Sequence, residues 1–102
     1  MATDWVSTFW RLVNFDGPLN RWLDTEQPEF AIRFAVAEWI LIVADDAYAG
    51  ARRRRDLGGN YWMVKVPNSY HDGQVVVCAF WIDEETRTVT CDTIATLSLP
   101  LG

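Results

Sequence analysis

The sequence predicts one α+β domain, residues 1–102, in which an N-terminal strand, a short helix and a long helix pack on an antiparallel β-meander. The length of 102 residues, half of them apolar, suits a single hydrophobic core. A long apolar segment with helical spacing fills residues 28–50. Three segments of strand character follow it, separated by polar turns.

The first two elements are a strand and a short helix. Residues 5–14 are rich in β-branched and aromatic types with partial alternation, which indicates a strand. Asp16-Gly17-Pro18 predicts a turn that caps a helix over residues 19–24, because Pro18 near the first helical position forgoes no needed amide donor. Trp22 and Leu23 are expected to anchor this helix.

The long helix is predicted over residues 28–50. Six residues recur at spacings of four, three, four, three and four and so form one stripe: Phe30, Phe34, Ala37, Leu41, Ala44 and Tyr48. Further apolar residues widen this stripe, so we expect the helix to lie across a sheet with a second element or a partner on its flank. The arginine run at 52–55 is either a solvated helix end that complements the helix dipole or a binding patch.

The meander is predicted from strands at 61–66, 75–82 and 86–97. Asp83-Glu84-Glu85 has the composition of a hairpin turn. A turn over residues 83–86 places four pairs on the core face: Ile82 with Arg87, Phe80 with Val89, Cys78 with Cys91, and Val76 with Thr93. The two cysteines are therefore expected to be buried, reduced thiols, since disulfides are rare inside cells.

The opposite, open face of the sheet is predicted to be accessible. Alternation places five candidate site residues there: Tyr61, Lys65, Trp81, Thr90 and Asp92. Lys65 and Asp92 are either a plain cross-strand ion pair or part of a site. His71, in the loop that follows the first meander strand, is either an ordinary exposed histidine or an acid–base group, because histidine is the side chain type best suited to acid–base work near neutral pH.

Charge and composition exclude several classes of function. A formal charge of −5 and a pI near 4.6 argue against broad binding of a nucleic-acid backbone. No signal peptide is apparent, and the apolar stretch at 34–44 is too short to span a bilayer, so a cytoplasmic protein without a membrane segment is expected. One His and two Cys without metal-ligand spacing predict neither a metal site nor a cofactor.

The order of these elements resembles the RelE/ParE superfamily of small bacterial toxins. Local sequence is also similar, at Ala37-Glu38-Trp39-Ile40, at Asp45-Asp46-Ala47-Tyr48, and along the stretch from Arg54 to Val66. In that stretch the superfamily typically has a helix, a Leu-Gly turn and a strand of alternating basic and apolar residues. The resemblance implies the same arrangement of helices and meander.

The resemblance implies two functions. In the ribosome-dependent RNases of the superfamily, cations matching Lys65, Arg54 and Arg55 orient RNA, and His71 or Tyr61 would then transfer protons. The chain departs from that pattern at residues 93–100, which lack the basic or tyrosyl residue at the end of the last strand. With the acidic charge and six tryptophans, this departure favours a protein that binds an antitoxin, a host target or a second copy of itself, with Trp81 on the contact surface. RNA is the partner in the alternative.

Overall fold

The fold is a five-stranded mixed sheet covered on one face by two helices. The computed structural model describes residues 9–49, the backbone of 52–53, and residues 59–99. The elements are β1 (Arg11–Val13), α1 (Asp16–Glu26), α2 (Phe30–Asp45), β2 (Arg52–Arg53), β3 (Tyr61–Lys65), β4 (Gln74–Asp83) and β5 (Thr88–Ser98). The strand order is β1-β5-β4-β3-β2. Among the described strands only β1 pairs in parallel, with β5, so the predicted α+β class and the three-stranded meander are confirmed.

The short helix α1 is longer at both ends than the predicted 19–24. It begins at Asp16, whose charge lies at the positive end of the helix dipole. It ends where Gln27 turns left-handed, with φ 44°, and donates its backbone N–H to the Leu23 carbonyl at 3.0 Å. Trp22 is buried and donates Nε1–H to Thr96 Oγ1 at 2.9 Å, which ties α1 to β5.

The long helix α2 is shorter than predicted, and a different side of it packs on the sheet. It stops at Asp45, because Asp46 is extended and its carboxylate accepts the Tyr48 N–H at 3.1 Å in a turn. The predicted boundary at residue 50 lies outside the described residues. The buried residues of α2 are Ala35, Val36, Trp39 and Val43.

The prediction that the six-residue stripe packs against the sheet is therefore wrong for most of its residues. Phe30 is 73 %, Phe34 58 % and Leu41 71 % exposed. The helix is apolar around most of its circumference, so a period alone does not determine which side meets the sheet. The wider apolar set, around Val36 and Trp39, forms the contact instead.

One hydrophobic core lies between the helices and the inner face of the sheet. Phe80 and Val89, both 0 % exposed, belong to it and share the inner face, as predicted. The strands also contribute Val64, Val66, Val76, Cys78, Ile82, Cys91 and Ile94.

The hairpin register differs from the prediction by two residues. The turn takes up residues 84–87, so that Asp83 pairs with Thr88 and Ile82 with Val89 rather than with Arg87. Asp83 Oδ1 accepts the backbone N–H groups of Glu85 and Thr86 at 3.0 and 3.3 Å, which stabilises the turn one residue later than predicted.

A β-bulge changes the second half of β5. Phe80 pairs with Cys91 and Ala79 with Thr93, which leaves Asp92 as the extra residue. After the bulge, the residues of β5 face the opposite side of the sheet from the one predicted. Ile94 therefore lies in the core, and Thr93 is exposed. Cys78 consequently pairs with Ile94 and not with Cys91.

The arginine run does not end the helix. Arg52 and Arg53 form the edge strand β2, opposite Met63 and Trp62 of β3. Arg54 and Arg55 lie outside the described residues. Within the predicted N-terminal strand, residues 11–13 form a strand. Residues 5–8 lie outside the described residues.

Cys78 and Cys91 are free and buried. A hydrogen bond with Cys91, together with burial and the charge of Cys91, raises the pKa of the Cys78 thiol above its ordinary value. A thiol that stays protonated and inaccessible is a poor nucleophile.

Alkylation with iodoacetamide at about pH 8.5, the ordinary pKa of cysteine, tests this arrangement. The folded protein should react roughly 100-fold more slowly than the unfolded chain, because raising the pKa keeps the thiol protonated as pH rises. Non-reducing denaturation should then release two thiols per chain. Recovery of none would reveal a disulfide and contradict the packing described.

Candidate functional site

An aromatic and carboxylate cluster lies at one end of the open face. Tyr61 and Trp81 are cross-strand partners whose ring centroids are 4.7 Å apart in an edge-to-face contact. Tyr61 donates its hydroxyl to Asp92 Oδ2 at 2.6 Å. Thr90 is the β5 partner of Trp81. Four predicted site residues are thus brought together here.

The two aromatic rings of this cluster differ in accessibility. Trp81 is 43 % exposed, whereas Tyr61 is 7 % exposed beneath it. The prediction that Tyr61 is an exposed side chain is therefore wrong, since Trp81 packs over it. Trp81 is the accessible group, and Tyr61 supports it from below.

Carboxylates border the exposed face of Trp81. An open depression of about 660 Å³ beside it is lined by Gly59, Asn60, Trp81, Ile82, Asp83, Glu84 and Glu85. Its three acidic residues are exposed, and among the lining residues that the structure describes none is Lys or Arg. We call Asp83, Glu84, Glu85 and the nearby Asp92 the acidic rim. It favours cations over phosphates.

Long-range hydrogen bonds hold the acidic rim in place. Tyr48, after α2, donates its hydroxyl to Glu84 in the hairpin turn. Asn60 Nδ2–H groups donate to the Tyr48 hydroxyl and to the Ile82 carbonyl, both at 3.1 Å, and Asn60 Oδ1 accepts Trp62 Nε1–H at 2.7 Å. One local signal of this arrangement is the pair Gly59-Asn60, where both residues adopt positive φ.

Lys65 lies away from this cluster. It pairs with Val77, four residues along β3 from Tyr61, which corresponds to about 13 Å of strand. Asp92 contacts Tyr61 instead, and among the described residues Lys65 forms no ion pair with it, so the predicted Lys65–Asp92 pair is wrong. The middle of β4 on this face, at Val75, Val77 and Ala79, is buried rather than accessible.

His71 lies at the opposite end of the sheet. Its Nε2 is 3.5 Å from Glu29 Oε1 and 3.1 Å from Asp72 Oδ2, beside a cleft of about 190 Å³ between the α1–α2 turn and β4. The adjacent Gln74 is seven residues from Trp81 along β4, about 23 Å. Tyr61, Lys65 and His71 are therefore spread along the sheet.

The described part of the chain has neither a metal-binding cluster nor a membrane-spanning helix. Across residues 9–49 and 59–99, no three His, Cys, Asp or Glu side chains come together in a way that could hold a metal ion. None of the helices in these residues is long and apolar enough to cross a bilayer.

Comparisons with known proteins place the chain by fold. No family model and no curated protein matches its sequence. The solved structures that it resembles include those of the Escherichia coli toxin RelE. The isolated toxin superposes with a TM-score of 0.61 at 12 % identity, covering 91 % of this chain and 87 % of that one.

Two further RelE structures superpose on the chain with similar scores. A free RelE variant with two arginines changed to alanine gives a TM-score of 0.57 at 12 % identity, with 85 % and 82 % coverage. A chain of the RelBE toxin–antitoxin complex gives 0.59 at 11 % identity, with 91 % and 99 % coverage. The protein has a RelE-like fold, and the resemblance predicted from its sequence is confirmed at that level.

The Tyr61–Asp92 hydrogen bond is open to a direct test. Tyr61→Phe should lower the free energy of unfolding by about 1–2 kcal/mol, because a buried ring loses its hydroxyl contact and little else. Urea denaturation measures this loss. Tyr70→Phe is the matched control, since Tyr70 is 56 % exposed in a loop and should change stability little. Equal losses in both variants would contradict the proposed support of Trp81.

Proposed function

We propose that this protein is a cytoplasmic, toxin-like protein that acts by binding a protein partner through Trp81 and the acidic rim. The observation that carries the proposal is an exposed tryptophan seated on a buried, hydrogen-bonded tyrosine and bordered by carboxylates. A rigidly supported aromatic loses little conformational freedom on binding, which makes it an efficient interface anchor.

The acidic rim determines the chemistry of the partner. The three carboxylates that line the depression beside Trp81, with Asp92 on the neighbouring Tyr61, would pair with Lys or Arg side chains, so the partner should present a basic segment with an apolar centre. The overall charge of −5 adds long-range attraction for such a segment. An antitoxin and a host target are the two partner classes, and the RelE-like fold, found in a toxin–antitoxin complex, supports the first.

The alternative is an endoribonuclease of the RelE type. The fold favours it, and Lys65 on the open face is available to bind phosphate. Against it, Tyr61 is separated along the sheet from Lys65 by about 13 Å and from His71 by about 23 Å. A general acid or base must lie within hydrogen-bond reach of the reacting group. The accessible end of the face is also acidic, which repels RNA.

Growth of a bacterial host on induced expression tests the proposal. Trp81→Ala should abolish growth inhibition, because truncating a central aromatic anchor costs about 2 kcal/mol or more in binding. Leu97→Ala is the matched control: Leu97 is 45 % exposed, close to the 43 % of Trp81, and lies on the open face at its other end. It should leave inhibition intact.

Lys65→Ala separates the two functions. Under the binding proposal it should leave growth inhibition largely unchanged, whereas an RNase would lose activity by orders of magnitude. Thermal unfolding of each variant checks that folding is kept. Loss of inhibition in Lys65→Ala with Trp81→Ala still active would overturn the proposal in favour of the RNase. No inhibition by the parent protein would contradict both toxin functions.

A further inference from the structure

The side of α2 that faces away from the sheet carries an apolar seam. The seam comprises Phe30, Phe34, Ala37 and Leu41, all exposed. The Phe30 and Phe34 rings stack with centroids 6.2 Å apart. Soluble proteins rarely expose large apolar side chains in a contiguous group unless that group binds something. The opposite side of the same helix already fills the core through Val36, Trp39 and Val43.

The spacing of the seam fits a second helix. Its residues are four, three and four apart, the alternation of a and d positions in a heptad. An a and d repeat keeps the same narrow side of a helix in contact with a second helix over several turns. A flat or irregular partner surface does not require this spacing. The 16 residues of α2 amount to about 24 Å of helix, long enough for this contact.

The charges beside the seam indicate what that second helix is. With Phe34 at an a position, Arg33 takes the g position on one flank and Glu38 the e position on the other. Both are exposed, and the described residues provide no ion-pair partner for either. In two parallel helices a g residue meets the e residue five positions later on the other helix, and Arg33 and Glu38 are five apart.

We propose that two copies of this chain associate through the seam as a parallel two-fold dimer, with Arg33 of each copy paired with Glu38 of the other. An isologous interface repeats the pair twice. An antiparallel arrangement with helix centres opposed would bring the two Glu38 side chains together instead. The seam lies on the helix layer and not on the open sheet face, so dimerisation is independent of Trp81.

Analytical ultracentrifugation of the full chain tests the proposal. The parent should sediment with twice the chain mass of 11.7 kDa. Arg33→Glu and Glu38→Arg should each weaken the dimer roughly tenfold, because two attractive contacts become repulsive. An equimolar mixture of the two variants should recover the parent affinity, and so should the double variant, since both restore opposite charges across the seam.

Two controls keep the outcome interpretable. Arg21→Glu makes the same charge change at an exposed position on α1, away from the seam, and should leave association unchanged. Phe34→Asp should abolish the dimer without affecting the fold of the monomer, checked by circular dichroism, because Phe34 is 58 % exposed. A monomeric parent would overturn the proposal, as would an Arg33→Glu variant that associates as tightly as the parent.

Discussion

The pairing of β4 with β5, with one extra residue at Asp92, is the constraint on which the rest of the structure depends. These two strands occupy the centre of the sheet, and β5 also receives β1 on its other edge and α1 on its inner face. The bulge lets Cys91 and Ile94 both face the core. It also leaves Asp92 in reach of the Tyr61 hydroxyl, so the same irregularity completes the core and supports Trp81.

The elements could be predicted from the sequence because composition and turn residues are local signals. Strands β3, β4 and β5 follow alternation and the polar residues between them, and the shared face of Phe80 and Val89 follows from the same rule. The register could not be predicted, because the Asp83 side chain stabilises a turn that begins one residue later and a bulge shifts the second half of β5. The orientation of α2 was missed because both sides of that helix are apolar.

The candidate site was predictable in part for a similar reason. Alternation indicates which face a residue occupies, so Tyr61, Trp81 and Thr90 were correctly grouped on the open face. Alternation does not show how far apart residues lie along strands, which is why Lys65 and His71 fall outside the cluster. The acidic rim depends on Tyr48 and Asn60 holding Glu84, and contacts between residues 12 to 36 positions apart have no local signature.

The proposed binding function separates fold from activity in this chain, whose RelE-like fold has an acidic accessible end. The superposed toxins share the arrangement of strands and helices, while the acidic rim favours cations over phosphates. Incubating the purified protein with messenger RNA, with and without translating ribosomes, tests this separation most directly. We expect the RNA to remain intact in both conditions. Cleavage by the parent protein that disappears in Lys65→Ala would contradict a binding function.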